Sequence, residues 1–230
     1  MPAAIPFSRH PAITILFMCN LYSLSKGQRA IVELARAMRD TVGNLPPLPG
    51  IFPDAVAPIV RTAKDGVREL TMARWGFPPP DNLGKAPVTN VRNTASPYWR
   101  TWLNGFRCLV PATSFCEWTD TPPKVTNWFA LSEERPLFCF AGIWRPWKGT
   151  RGTKAAPVEG RHLLYSILTC EPNATVRRVH AKNMPVILTK DDEIETWLSA
   201  PAVEALKLQR PPPDNVLRIV ATGLKEDGPV

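Results

Sequence analysis

The chain has 230 residues, 44% hydrophobic and 21% charged, which is the balance of a folded globular protein and excludes a disordered or fibrous one. Lys and Arg outnumber Asp and Glu by 28 to 20, unevenly: residues 1–190 hold 24 basic and 12 acidic side chains, residues 191–230 hold 4 and 8. A basic body with an acidic C-terminal stretch points to a polyanionic partner, nucleic acid ahead of anionic lipid, or else to a generic basic surface. No apolar run is long enough for a membrane-spanning helix, so no membrane partner is expected. Proline, 26 of 230 residues, is about twice its typical usage. With 8 Trp beside it, it reads as a folded domain with proline-stiffened loops.

Residues 1–18 do not make a secretory signal: they lack Lys near the start, and the short apolar core is broken by Pro11. They are expected to be an extension, either upstream of a start at Met18 or removed, ahead of a domain over 19–222 and a tail over 223–230. Ser25 and Gln28 have capping-box spacing. Ile31, Leu34, Ala35 and Met38 then form the stripe of an amphipathic helix ending near Gly43. The proline-rich stretch 45–58 is expected to be a surface loop. Strands are expected over 67–75, 106–110, 114–118, 128–131, 137–144, 163–170 and 185–188. Helices are expected over 190–198 and 202–208, and a last strand over 216–220. The pattern is that of a single α+β domain, strand-dominated, with antiparallel barrel-like sheets and helices at the periphery.

The five cysteines (Cys19, Cys108, Cys116, Cys139 and Cys170) contain no Cys-x-x-Cys, and His10, His162 and His180 are not at metal-ligand spacing. No metal and no cofactor are expected. Four of the five cysteines lie in apolar strand-like runs, where a thiol behaves as a small hydrophobe, which points to a reduced, cytoplasmic setting.

Three features carry chemistry. In the 114–118 strand, Glu117 shares a face with Phe115, opposite Ser114, Cys116 and Trp118. A carboxylate flanked by Cys and Trp and partly desolvated suits general acid/base work; the alternative is an edge-strand Glu facing water. His180 lies beside Arg177, Arg178 and Lys182, where neighbouring cations favour a neutral imidazole able to relay protons; the alternative is a solvated loop histidine. Basic and aromatic residues interleave at Arg74-Trp75-Gly76-Phe77, at Arg92, at Tyr98-Trp99-Arg100 with Trp102, and at Trp144 to Lys148. Rings for unpaired bases and cations for phosphates suit single-strand binding; the alternative for any one tryptophan is the core.

Taken together these motifs resemble the SOS response-associated peptidase family. The resemblance runs from Met18-Cys19 to about Leu188. It rests on the methionine before Cys19, Trp75-Gly76, Asn90-Val91-Arg92, the block Arg107 to Ala112 leading to Glu117-Trp118, and His180 ahead of Met184-Pro185. The chain departs from the family pattern at Asn20-Leu21, where Gly-Arg is common, and in a His180 loop one residue longer than usual.

The resemblance implies a sensor of abasic sites in single-stranded DNA, acting in the DNA-damage (SOS) response and forming a covalent crosslink through a mature N-terminal cysteine. Cys19 would be the nucleophile, with Asn90, Glu117 and His180 completing the site. Trp75, Phe77, Arg92 and Arg100 would contact DNA, joined by Tyr98, Trp99, Arg177 and Lys182. The chemistry fits. A free α-amine, with a pKa of about 7.7–8.0, is substantially neutral at physiological pH and adds to an aldehyde as a Schiff base. The thiol of the same cysteine then closes a thiazolidine. Autoprocessing peptidase and lyase-like activities are further implied, for a monomer that is nucleoid-associated when bound to DNA. Competing readings are a cysteine peptidase or amidase with Cys19 as nucleophile and His180 as base, and a non-covalent single-strand DNA-binding module.

Overall fold

The computed structural model describes residues 20–80, 84 and 86–228; Cys19 and the 1–18 extension lie outside the described residues. In chain order the elements are β1 (Tyr22–Leu24), α1 (Gln28–Ala35), β2 (Arg39–Asp40), β3 (Leu48–Ile51), β4 (Val56–Thr62), β5 (Arg68–Trp75), β6 (Asn90–Val91), α2 (Pro97–Gly105), β7 (Arg107–Ala112) and β8 (Ser114–Trp118). There follow β9 (Thr126–Ala130), β10 (Phe138–Thr153), β11 (Ala156–Cys170), α3 (Ala174–Arg177), β12 (Met184–Pro185), β13 (Ile187–Leu188), α4 (Asp191–Ser199), α5 (Ala202–Ala205) and β14 (Arg218–Thr222).

The α+β, barrel-like architecture expected from the sequence is the one observed. Strands pair around a closed ring in the order β11, β10, β7, β4, β5 and back to β11. Every pairing in the ring is antiparallel except the closing one, where β5 and β11 run parallel with Arg74 beside Leu164 and Trp75 beside Tyr165. A second, wholly antiparallel sheet has the order β14, β9, β8, β1, β3. The two meet through aromatic residues. Tyr22 of β1 lies edge-on to Trp75 and Phe140, 5.1 and 5.6 Å between centroids, and its hydroxyl shares a 2.5 Å hydrogen bond with that of Tyr165.

Several elements differ from expectation. The stretch 45–58 is not a loop but contains β3 and the start of β4. Of its five prolines, the two that fall in strands are tolerated: Pro49 lies on β3, the sheet's edge strand, and Pro58 pairs with β5 beyond the point where β7 joins at Val60 and Arg61. At neither position does the missing N–H break a ladder. Helix α1 begins after Gly27 with no side-chain cap, because the Ser25 hydroxyl instead donates to Thr113 Oγ1. Helix α2 was unforeseen. Strands β10 and β11 run well past Trp144 and begin well before Leu163, forming a two-stranded ribbon that turns at Lys154-Ala155. Gly149 is needed there: a Cβ would come within 2.3 Å of the Trp147 ring that lies across it.

Residues 223–228 pack onto the second sheet. Asp227 is buried and accepts from Ser114 Oγ at 2.5 Å and from Arg135 Nη2 at 3.0 Å. Its backbone carbonyl accepts from Ser23 Oγ at 2.6 Å.

Candidate functional site

Asn20 and Leu21, which directly follow Cys19, sit between two other segments. On one side, the Thr89 hydroxyl donates to Asn20 Oδ1 at 3.1 Å and accepts from Asn90 Nδ2 at 2.9 Å. On the other, the Cys116 amide donates to the Leu21 carbonyl at 2.9 Å. The β1–β8 register, Tyr22 with Phe115 and Ser23 with Ser114, continues to set Asn20 opposite Glu117. Asn90 and Glu117, 27 residues apart in sequence, therefore flank the same two residues of chain.

Glu117 is 3% exposed. Alternation along β8 puts it on the face of Phe115, which packs against Phe129 and Phe140, so it points inward and not to water. The opposite face carries Cys116, packed with Leu21 and Trp128, and then Trp118, which is 47% exposed. Asn90 is held from behind: the Trp75 indole N–H donates to the Thr89 carbonyl at 3.1 Å, and so does the Ile167 amide at 2.9 Å.

His180 joins this region through Asp120, three residues beyond Glu117. Its Nδ1 lies 2.8 Å from Asp120 Oδ1, while the Ala181 amide donates to Asp120 Oδ2 at 2.8 Å. The Asp120 amide in turn donates to the Val179 carbonyl at 3.1 Å. The Ala181 N–H, foremost, and His180 hold the Asp120 carboxyl below the usual carboxylate range. His180 is buried, and its Nε2 has no hydrogen-bond partner among the described residues. The sequence set only cations beside His180; the fold brings it a carboxylate. Thr169 Oγ1 and Asn183 Oδ1 are also buried without partners there, Thr169 lying on β11 two residues beyond Ile167, which pairs with Asn90.

The expected DNA contacts divide. Arg177 and Lys182 are exposed on either side of His180. Arg92, just past Asn90, is half-buried in an ion pair with Glu171. Trp75 and Phe77 are wholly buried and offer no ring face to a base. Trp75 stacks on Tyr165 at 6.2 Å. Phe77 meets Trp99 and Trp102 at 5.8 and 6.0 Å, and Arg145 lies 4.5 Å over Trp102. The interleaved basic and aromatic residues thus reflect largely internal cation–π and edge-to-face packing around α2. Trp99 is in that cluster. Tyr98 donates to the Pro78 carbonyl at 2.8 Å, and burial pushes its phenol up. Arg100 is exposed on α2.

The four described thiols are buried. Burial pushes Cys116, Cys139 and Cys170 up to about 12 and raises Cys108 well above its ordinary value. No group of three or more His, Cys, Asp or Glu among the described residues could hold a metal ion, and no described helix is long and apolar enough to cross a membrane. Sequence reasoning did not single out Thr89 or Asp120, and it gave no contact to Asn20 or the exposed Trp118. Asn20 and Thr89 meet across 69 residues and Asp120 and His180 across 60.

The class is set by a closed barrel joined to a second sheet, with Asn90 and Glu117 beside the start of β1 and His180 paired with Asp120 beyond β8. The model of the SOS response associated peptidase (SRAP) family matches residues 18–223, and the chain belongs to that family. It is 33% identical over 139 residues to the abasic site processing protein YoqW of Bacillus subtilis, covering 56% of this chain and 57% of the relative. It is 35% identical over 141 residues to YoaM of the same organism, described in the same words, covering 56% of each. A match to the abasic site processing protein HMCES of Gallus gallus has 27% identity over 195 residues, 71% of this chain and 56% of the relative. The matches thus span little more than half the length of these relatives. A solved structure from Bordetella bronchiseptica shares the fold at a TM-score of 0.68 and 23% identity, over 89% of this chain and 98% of that one. One from Bacteroides thetaiotaomicron does so at 0.66 and 23%, over 87% and 90%.

Proposed function

We propose that this protein recognises abasic sites in single-stranded DNA and captures the ring-opened sugar covalently through Cys19, once that residue carries a free α-amine. The observation that carries this reading is the setting of Asn20 and Leu21: Asn90 and Glu117 converge on the two residues that follow Cys19. Elimination supports it. Thiols pushed up to about 12, as at Cys116, Cys139 and Cys170, or well above the ordinary value, as at Cys108, are protonated at neutral pH and poor nucleophiles, which leaves none of the four described cysteines suited to the role. The relatives named as abasic site processing proteins supply the substrate class.

In the proposed reaction the α-amine of Cys19 attacks the sugar aldehyde to give a carbinolamine, which loses water to form an imine. The thiol then adds across the C=N bond, its proton passing to the nitrogen, and closes a thiazolidine. The net loss is one water. Glu117 and His180 are the groups set to carry protons between the amine, the departing hydroxyl and the sugar, and Asn90 orients the amine or thiol. Arg92, Arg100, Arg177 and Lys182 meet phosphates, and Trp118 offers its exposed ring to a base. A peptidase activity directed at the protein's own leading segment would be one route to the free amine.

The test is intact mass before and after addition of single-stranded DNA carrying one abasic site. A chain beginning at Cys19 is expected to gain the mass of the DNA less one water, Cys19→Ala to gain nothing, and Glu117→Gln to react more slowly. A mature chain in which Cys19→Ala crosslinks as well as wild type refutes the proposal. Acylating only the α-amine separates the readings: it stops the crosslink but spares an ordinary cysteine peptidase.

A further inference from the structure

We infer that Asp120 is a positioning residue for this reaction: it fixes the neutral His180 ring as the Nδ1–H tautomer, so that Nε2 enters the reaction as a proton acceptor. The inference rests on the crosslinking reaction proposed above, and its grounds are geometric. Asp120 presents both carboxylate oxygens to donors, Oδ2 to the Ala181 amide and Oδ1 to the His180 ring, each at 2.8 Å. An ionised carboxylate only accepts hydrogen bonds, so the ring nitrogen facing it must carry the proton. A neutral imidazole has one proton on its two nitrogens, which leaves Nε2 with a lone pair. That lone pair is buried and meets no donor among the described residues.

The proton path balances. When the Cys19 amine adds to the aldehyde, its nitrogen becomes cationic and the former carbonyl oxygen anionic. Nε2 takes the proton from nitrogen, and the imidazolium, held by Asp120, gives it to that oxygen to make the neutral carbinolamine. A proton from Glu117 then carries the hydroxyl off as water, and the proton left on the iminium nitrogen passes through Nε2 back to Glu117. The ring ends in the tautomer in which it began, and Asp120 stays ionised throughout.

Substitution of Asp120 tests this sharply, because the Ala181 amide is a fixed donor. In Asp120→Asn the new side chain has one oxygen, and the Ala181 N–H claims it. The amide NH2 then faces His180 Nδ1 and needs a lone pair there, which moves the ring proton to Nε2. Asp120→Asn therefore imposes the wrong tautomer, whereas Asp120→Ala imposes none. If Asp120 served only to brace the loop, Asn would be the mild substitution and Ala the severe one, since Asn keeps the shape and the bond to Ala181. If it sets the tautomer, the order reverses.

The experiment uses mature protein labelled with 15N-histidine, the His180 signals being assigned by loss in His180→Gln. Nitrogen chemical shifts and crosslinking rates are measured for wild type, Asp120→Asn and Asp120→Ala. Expected are a protonated Nδ1 and bare Nε2 in wild type, the reverse in Asp120→Asn, and a rate loss of about 10²–10⁴-fold in Asn with a smaller loss in Ala. A wild-type ring protonated at Nε2, or an Ala variant slower than Asn, overturns the inference while leaving the crosslinking reaction standing. A wild-type chain that forms no adduct overturns the reaction and the role assigned to Asp120 in it. Asp120 is 38% exposed at its side chain and lies in a loop, so all three proteins are expected to fold. Should the Asn variant not fold, the wild-type tautomer still decides: a ring protonated at Nε2 overturns the inference.

Discussion

The Asp227 clasp ties the last described residues to the strand that leads out of the candidate site, and its removal has a calculable cost. Asp227 accepts from Arg135 Nη2 at 3.0 Å, Arg135 Nε at 3.3 Å and Ser114 Oγ at 2.5 Å, with both charged side chains at most 10% exposed. Asp227→Ala leaves the Arg135 charge buried and the fully buried Ser114 hydroxyl without its acceptor. Breaking a buried pair from one side costs about 3–5 kcal/mol. The remaining bonds from Arg135 to the Glu133 and Val220 carbonyls keep the loss inside that range. Against a total stability of about 5–15 kcal/mol, the expected drop in melting temperature is about 6–20 °C. Urea unfolding with a shared m-value measures it. The exposed pair Arg29–Glu33, with side chains 93% and 63% exposed, is the control, and breaking it should leave the urea midpoint nearly unchanged. The double substitution Arg135→Met with Asp227→Leu should be milder than Asp227→Ala, because no charge is left unpaired. An Asp227→Ala protein within about 1 kcal/mol of wild type would refute the reasoning.

Gly142→Ala would bring a Cβ to 2.9 Å from Val110 Cγ2 and 3.0 Å from Cys108 Sγ. It should destabilise by about 1–3 kcal/mol, with partial recovery on adding Val110→Ala, both read by urea midpoints. Stability should be flat from pH 7 to about 8.5 and fall above it. The unfolded chain loses thiol protons near pH 8.5 that native Cys116, Cys139 and Cys170 keep toward about 12, so the unfolded state binds fewer protons there. Urea midpoints across that range test the sign, and Cys139→Ala should make the decline shallower. Trp118→Ala should weaken single-stranded DNA binding by about 1–3 kcal/mol if its exposed ring stacks on a base. Trp118→Phe should retain most of the affinity in the same titration, and equal losses in both would assign the effect to something other than stacking.

Where pattern is local, the sequence was a good guide. Ser114–Trp118 is the strand its alternation predicts, and the 190–198 helix appears one residue along as α4. Strand β4 escaped because its proline looks like a breaker until the neighbouring strand's extent is known. Helix α2 escaped because only Trp99 and Leu103 are buried along it, too thin a stripe to separate from a loop rich in aromatics. The site was legible in kind but not in arrangement. Glu117 and His180 are chemically conspicuous and Asn90 entered through the family resemblance alone, whereas Asp120 is one acid among 20 acidic residues and gains its meaning from a partner 60 residues away. The basic–aromatic alternation misled for the opposite reason: the same residues that stack on bases also stack on one another, and composition does not say which.

The parallel pairing of β5 with β11 also sets the order in which this molecule can assemble. The ring closes between residues 68–75 and 156–170, so the barrel cannot exist until about three quarters of the chain has been synthesised. The β10–β11 hairpin is local and forms on the microsecond scale, while the closing contact must draw in a strand some 90 residues upstream. Non-local closures of this kind slow folding. Until then β5 presents an unpaired edge at Arg74 and Trp75 to the ribosome exit and to other nascent chains, the interval in which aggregation competes with folding.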